Sequence, residues 1–168
     1  KIRLLNYKDG TIYAGLASHI KDFCKEREYA LEYPEEDADE NFSIHEAVEF
    51  IKSLNIPSKY SPLTPERSYQ VDAFVSAIRK RRRLLVCPTG SGKSLIIYMM
   101  IRFYLTKHEK KHLIIVPSTS LVAQLKKDFG DYGLDVSGVH EIMSGRDKNT
   151  DKLIIISTWQ SLFRMPKK

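Results

Sequence analysis

The fold is decided by one stretch of the sequence, Leu84-Leu85-Val86-Cys87-Pro88-Thr89-Gly90-Ser91-Gly92-Lys93-Ser94. Its first four residues are apolar, as in a strand that is buried in a parallel sheet. The next segment contains two glycines, which suit a tight turn. The residues from 93 to about 106 are strongly apolar and have the length of a helix. A strand, a turn and a helix in this order predict the first unit of an α/β fold with a parallel sheet.

The residues on both sides of this stretch continue the alternation of helices and strands. A helix is predicted over 66–80, and short apolar runs at 113–116 and 153–156 predict two more buried strands. Between those runs, Leu121, Leu125 and Phe129 share one face of a further helix. Ligands of such sheets bind beyond the carboxyl ends of the strands, so we expect the functional residues there.

Residues 1–57 have a different character. Asp9-Gly10 is typical of a β-hairpin turn, and 16–24 have the spacing of an amphipathic helix. A short strand is predicted over 29–33, an acidic loop over 35–40, and a helix after a capping box formed by Ser43 and Glu46. These features predict a small α+β domain over 1–57, a proline-containing linker over 58–65, and a parallel-sheet domain over 66–168.

Composition and charge narrow the classes of protein. The 168 residues are 42% hydrophobic and 29% charged, which excludes a mostly disordered chain, and no apolar run is long enough for a membrane span. Cys24 and Cys87 lie far apart, so we interpret them as reduced thiols of a cytosolic protein. Residues 1–60 carry 8 Lys and Arg against 12 Asp and Glu, whereas 61–168 carry 19 against 9. The basic second part predicts a polyanionic partner.

The glycine turn carries the sharpest chemical signal. It matches the phosphate-binding pattern GxxxxGK[ST], except that Cys87 stands where the first glycine is expected. Gly90 and Gly92 permit a backbone that turns successive N–H groups onto phosphate oxygens, and the following helix adds its positive N-terminal dipole. Lys93 is predicted to contact the β- and γ-phosphates, and the Ser94 hydroxyl to ligate Mg²⁺. The alternative is a chance glycine turn between a strand and a helix.

The segment Pro88–Ser94 resembles motif I of the superfamily 2 helicases. Arg67-Ser68-Tyr69-Gln70 resembles the adenine-recognition segment of that family. The amide of a glutamine side chain offers both the donor and the acceptor that the edge of adenine requires. A surface amide is the alternative for Gln70. The resemblance implies ATP and Mg²⁺ as cofactors and a set of nucleotide-binding residues: Arg67, Gln70, Pro88, Thr89, Gly90, Ser91, Gly92, Lys93 and Ser94. Lys93 and Ser94 are the catalytic members, and Ser94 is the metal ligand.

Two further segments resemble nucleic-acid-binding motifs of the same family. The first is 114–124, which resembles motif Ia, and the second is 156–160. The implied nucleic-acid contacts are Pro117, Ser118, Thr119, Ser157, Thr158 and Trp159. Helix capping is an alternative role for Ser118 or Thr119, and core packing is an alternative for Trp159.

The order of these motifs is most similar to that of UvsW-type phage ATP-dependent DNA helicases. The resemblance implies a RecA-like domain, unwinding or branch migration of branched DNA or RNA–DNA hybrids, roles in DNA repair and recombination, and a host cytoplasmic location. The DExH or DEAD box of such motors does not occur in these 168 residues. We therefore expect an N-terminal fragment, truncated before that box, which does not hydrolyse ATP by itself. Two alternatives are a P-loop kinase or transferase for a small molecule and a non-catalytic nucleic-acid-binding module.

Overall fold

The computed structural model describes residues 5–6, 8, 10–32, 39–80, 82–143 and 149–163. The chain divides into two compact units, Lys1–Glu36 and Asp37–Lys168. The predicted bounds at 57 and 65 stay a prediction. We assigned the helix after the capping box of Ser43 and Glu46 to the small N-terminal domain, and in this division that helix lies within the second unit.

The first unit contains a hairpin and one helix. Strands β1 (Leu5–Asn6) and β2 (Thr11–Ile12) pair antiparallel, and Gly10 has a φ of 69°, which its lack of a side chain permits. Helix α1 (Ala17–Glu26) follows, with no buried residue. The predicted strand over 29–33 is wrong for its described residues: Tyr29 and Leu31 lie exposed in irregular backbone, and no strand in the described part of the chain pairs with them. Residues 33–38, including most of the predicted acidic loop, lie outside the described residues.

The second unit begins with a helix that is capped as predicted. In α2 (Ile44–Ser53), the Ser43 hydroxyl accepts from the Glu46 amide, and the Glu46 carboxylate accepts from the Ser43 amide. Helix α3 (Ser68–Lys80) packs against α2 and against α4 (Lys93–Lys107). The contact between these three helices is aromatic, with ring centroids 4.9–5.8 Å apart in the cluster of Phe42, Phe50, Phe74 and Phe103.

The sheet of the second unit has three parallel strands in the described part of the chain. They are β3 (His112–Val116), β4 (Val139–Ile142) and β5 (Ile154–Thr158), in the order β3-β5-β4. Helix α5 (Thr119–Asp131) connects β3 to β4, and the short helix α6 (Trp159–Phe163) follows β5. Ile156 of the central strand is fully buried. The predicted α/β class with a parallel sheet is confirmed.

The predicted strand Leu84–Cys87 is wrong. Residues 83–88 are irregular, and Leu84 and Val86 are 85% and 90% exposed. An apolar run becomes a strand only where another strand satisfies its N–H and C=O groups, and no described residue pairs with this run. We predicted no strand over Val139–Ile142, and the pairing of this segment with β5 makes it strand β4.

Candidate functional site

The loop before α4 adopts the conformation that its glycines permit. Gly90 and Gly92 have φ angles of 80° and 74°, both in the left-handed region. The Ser91 amide donates to the Pro88 carbonyl at 3.3 Å, which closes the turn. Gly92 caps the N-terminus of α4, and its carbonyl accepts from the Leu95 and Ile96 amides. Amides of the first helical turn have no acceptor within the helix, so the loop presents N–H groups suited to an anion.

The Lys93 side chain folds back over this loop. Its ammonium group donates to the Pro88 carbonyl at 2.7 Å and to the Cys87 carbonyl at 3.3 Å. Both acceptors are uncharged, and the Lys93 side chain is exposed. A polyphosphate would offer the ammonium group a negatively charged acceptor, and a hydrogen bond between opposite charges also gains their Coulomb attraction.

Two side chains of α3, those of Tyr69 and Gln70, hydrogen-bond to the loop backbone between its two glycines. The Gln70 amide Nε2 donates to the Ser91 carbonyl at 2.9 Å, and the Tyr69 hydroxyl donates to the same oxygen at 3.0 Å. Gln70 is only 4% exposed. Its Oε1 and the Ser91 hydroxyl are buried without a hydrogen-bond partner among the described residues. The structure thus joins Gln70 to the phosphate-binding loop, and its contact with adenine stays a prediction.

Arg67 is engaged in the chain that precedes α3. One guanidinium nitrogen donates to the carbonyls of Lys59 and Ser61, at 3.0 and 3.3 Å. These contacts fasten the segment that we predicted as a linker to the start of α3. The role of Arg67 in adenine recognition likewise stays a prediction.

No sequence pattern indicates the role of Tyr132, which directly follows α5. Its hydroxyl lies 2.8 Å from the Ser94 hydroxyl, although 38 positions separate the two residues. The Tyr132 side chain is buried, and its ring contacts those of Tyr60 and Tyr98. Burial raises the pKa of Tyr132, and the bond with Ser94 opposes this effect. Tyr132 is therefore a neutral hydroxyl group beside the predicted metal ligand.

The predicted nucleic-acid contacts meet at the carboxyl edge of the sheet. Val116 and Thr158 are register partners at the ends of β3 and β5, so Pro117 and Trp159 follow neighbouring strand ends. Ser118 caps α5 by accepting from the Leu121 amide.

The residues of this edge differ in their accessibility. Ser157 is fully buried and donates to the Ile142 carbonyl, and Thr158 is buried and accepts from the Ser161 amide. Pro117 and Thr119 are exposed. Trp159 is 57% exposed, so its ring does not serve only to pack the core. The contacts of all six residues with nucleic acid stay predictions.

A cavity of about 790 Å³ opens beside the phosphate-binding loop. It is lined by Tyr69, Ala73 and residues 83–91, which include the exposed apolar side chains of Leu84 and Val86. In the described part of the chain, no three His, Cys, Asp or Glu side chains are grouped so that they could hold a metal ion. None of the described helices has the length and apolarity needed to cross a bilayer.

Residues 63–168 match the family model described as type III restriction enzyme, res subunit (ResIII). The chain belongs to this family. The matched residues include α3, the phosphate-binding loop and the three parallel strands of the described residues.

The chain is also similar to individual proteins and to solved structures. The chain is 36% identical to the ATP-dependent DNA helicase uvsW of Enterobacteria phage T4, over 99% of this chain and 34% of that protein. Two crystal structures of bacteriophage T4 UvsW superpose on 98% of this chain with TM-scores of 0.79 and 0.80, at 33% and 34% identity. This chain covers 60% of the UvsW chain in the first of these structures and 34% of it in the second. The chain thus spans about one third of the helicase that it resembles, and the predicted resemblance to UvsW-type helicases is confirmed.

Proposed function

We propose that this chain forms the nucleotide-binding part of an ATP-dependent DNA helicase. The observation that carries the proposal is the loop Pro88–Ser94, whose left-handed glycines and Lys93 ammonium group lie at the start of a 15-residue helix. Membership of the ResIII family and similarity to a DNA helicase support the same assignment.

The residues present suit a magnesium nucleotide. Pro88, Thr89, Gly90, Ser91 and Gly92 would surround the phosphates, and no described atom lies within 4 Å of the position that a Gly90 Cβ would occupy. Lys93 would bind phosphate oxygens, Ser94 would ligate Mg²⁺, and Arg67 and Gln70 would lie toward the adenine. The Gln70 Oε1 is a buried acceptor without a partner among the described residues, as an amide that pairs with an amino group of a ligand would be. The bound ion would neutralise phosphate charge during hydrolysis.

The carboxyl edge of the sheet would contact nucleic acid. Pro117, Ser118 and Thr119 follow β3, while Ser157, Thr158 and Trp159 end β5 and begin α6. Small hydroxyl groups and helix N-termini bind phosphates, and an exposed indole ring can stack on a base. The net charge of +10 over 61–168 favours this polyanionic partner.

We further propose that the complete helicase unwinds or branch-migrates branched DNA or RNA–DNA hybrids, in DNA repair and recombination in the host cytoplasm. This chain by itself would bind nucleotide without hydrolysing it, because the DExH or DEAD box, whose acids position the attacking water, does not occur in these 168 residues.

Calorimetric titration with Mg-ATP tests the proposal. We expect binding by the wild-type chain and about tenfold or greater weakening in Lys93→Ala, because hydrogen bonds to charged groups contribute about 1.5–3 kcal/mol. Lys110→Ala, a change of an exposed lysine outside the loop, is the matched control and should bind like the wild type. Equal affinities of wild type and Lys93→Ala would contradict the proposal, and Lys93-dependent ATP hydrolysis would contradict the inactivity of the isolated chain.

A further inference from the structure

The hydroxyl groups of Ser94 and Tyr132 form a hydrogen bond inside the nucleotide site. They lie 2.8 Å apart, which is a usual length for two hydroxyl groups. Ser94 is half-buried in the first turn of α4, whereas Tyr132 is 7% exposed at the end of α5. The bond therefore joins a residue of the phosphate-binding loop to the end of α5. None of the sequence motifs gives α5 a role in nucleotide binding.

The Tyr132 ring is held in place from several sides. Tyr60 packs edge-on against it with ring centroids 5.2 Å apart, and the Tyr98 ring lies 5.5 Å away. The Tyr98 hydroxyl also donates to the Tyr132 carbonyl at 3.3 Å. A ring packed in this way cannot swing away from Ser94 without disturbing two other aromatic side chains.

The geometry of this bond allows either hydroxyl to donate, and acidity and burial favour Tyr132 as the donor. A phenol is a stronger acid than an aliphatic alcohol, and the more deeply buried Tyr132 has the greater need of an acceptor for its proton. Donation from Tyr132 to the Ser94 Oγ satisfies that need. It also directs a positive hydrogen at the oxygen that a divalent cation would use.

We propose that Tyr132 caps the Ser94 hydroxyl and competes with the magnesium ion of the bound nucleotide. This inference rests on the proposed function, in which Ser94 ligates Mg²⁺. The Ser94 oxygen has two lone pairs, and donation from Tyr132 occupies one of them. An ion on the other lone pair would lie beside the positive hydrogen of Tyr132, unless that proton turned away and lost its buried acceptor. Tyr132 thus sets how strongly nucleotide binding depends on magnesium, and it acts through Ser94 as a positioning residue.

The variant Tyr132→Phe tests this competition because it keeps the packed ring and removes only the hydroxyl group. Affinity for ATP is measured by calorimetry with Mg²⁺ and with EDTA, and the ratio of the two affinities is compared between variants. Since one hydrogen bond contributes about 0.5–1.5 kcal/mol net, we expect the ratio to rise about two- to tenfold in Tyr132→Phe.

The same substitution in a Ser94→Ala background shows whether the effect passes through Ser94. There the ratio should be equal with and without the Tyr132 hydroxyl. Tyr98→Phe, which removes a neighbouring buried hydroxyl, should leave the ratio near that of the wild type. Thermal unfolding of each variant without nucleotide establishes that all of them are folded.

The remaining outcomes separate this inference from the proposed function. An unchanged ratio in Tyr132→Phe would overturn the competition, and so would an effect that persists in Ser94→Ala. A lowered ratio would show that Tyr132 holds Ser94 in place for the ion, and would also overturn it. A wild-type chain that binds ATP under neither condition would overturn the proposed function and this inference together.

Discussion

The Gln70 amide donates a hydrogen bond of 2.9 Å to the Ser91 carbonyl, 21 positions away in the sequence. The bond is buried, and it ties the first turn of α3 to the phosphate-binding loop. The aromatic contacts of Phe74 with Phe42, Phe50 and Phe103 fix α3 against α2 and α4. The conformation of the loop is therefore coupled to the packing of the helices around it.

Replacing Gln70 with Glu should destabilise the fold and make its stability depend on pH. The substitution puts a carboxylate oxygen opposite the Ser91 carbonyl, so the buried acid is favoured in its neutral form and its folded pKa is raised. We expect the deficit relative to the wild type to be small near pH 4 and to grow as the pH rises through the folded pKa of Glu.

Urea unfolding at pH 4, 6 and 8 measures this effect. Gln124→Glu, which introduces an acid at an exposed glutamine of α5 outside the bond, is the comparison variant. A deficit of Gln70→Glu that stays constant over this range would show that the amide of Gln70 does not make the buried contact in solution.

Replacing Gly92 with Ala should cost more stability than replacing Gly90. Both positions have φ near +75°, where a side chain costs roughly 1–2 kcal/mol. A Cβ at Gly92 would in addition overlap the Gln70 Nε2, whereas one at Gly90 meets no described atom within 4 Å. The free energy of unfolding of the two variants, measured by chemical denaturation, tests the difference. Equal losses would mean that Gln70 moves aside without cost.

Replacing Trp159 with Ala should weaken binding of single-stranded DNA. The ring is exposed at the carboxyl edge of the sheet, and stacking of one base contributes about 1–3 kcal/mol. Fluorescence anisotropy with a labelled oligonucleotide measures the affinity. Tyr29→Ala, which removes an exposed aromatic ring from the first unit, should change it little. An unaltered affinity of Trp159→Ala would place the stacking surface elsewhere.

The protein should lose stability as His112 becomes protonated. Burial lowers the pKa of His112 below 6.5, and the neighbouring His108 lowers it further. The His112 Nε2 is buried without a partner among the described residues, so the fold favours the neutral ring. Stability from this group is complete above the unfolded pKa of about 6.5 and is lost as the pH falls through the lower folded pKa.

Thermal unfolding between pH 8 and pH 5 tests the role of His112. The decrease in melting temperature should be smaller in His112→Gln than in the wild type. His45→Gln, an exposed substitution on α2, should retain the decrease of the wild type. The role assigned to His112 would be wrong if both variants followed the wild type.

Several features could be predicted because they depend on residues close together in the chain. The two residues of the capping box, Ser43 and Glu46, are three positions apart in the sequence, and the hairpin turn depends on Gly10. The helix after Gly92 follows from a long apolar run behind a glycine turn. In each case the hydrogen bonds are local, so the pattern of residue types is sufficient.

The predicted strand Leu84–Cys87 failed for the opposite reason. A strand exists only where another segment pairs with it, and the apolar character of a run does not identify that segment. Strand β4 shows the same dependence, since its pairing with β5 defines it although its sequence is weakly apolar. The contact between Ser94 and Tyr132 was invisible for a similar reason, because hydroxyl groups distant in the chain have no spacing rule.

By itself, the sequence determined the glycine loop, the lysine and serine that end it, and the helices that surround it, because turn geometry and helix periodicity are local properties. Tertiary structure alone decided that Gln70 supports the loop, that Tyr132 reaches Ser94, and that the ends of β3 and β5 lie side by side. These relationships arise from packing and strand pairing between distant segments, where burial of apolar surface and satisfaction of backbone hydrogen bonds select among many arrangements.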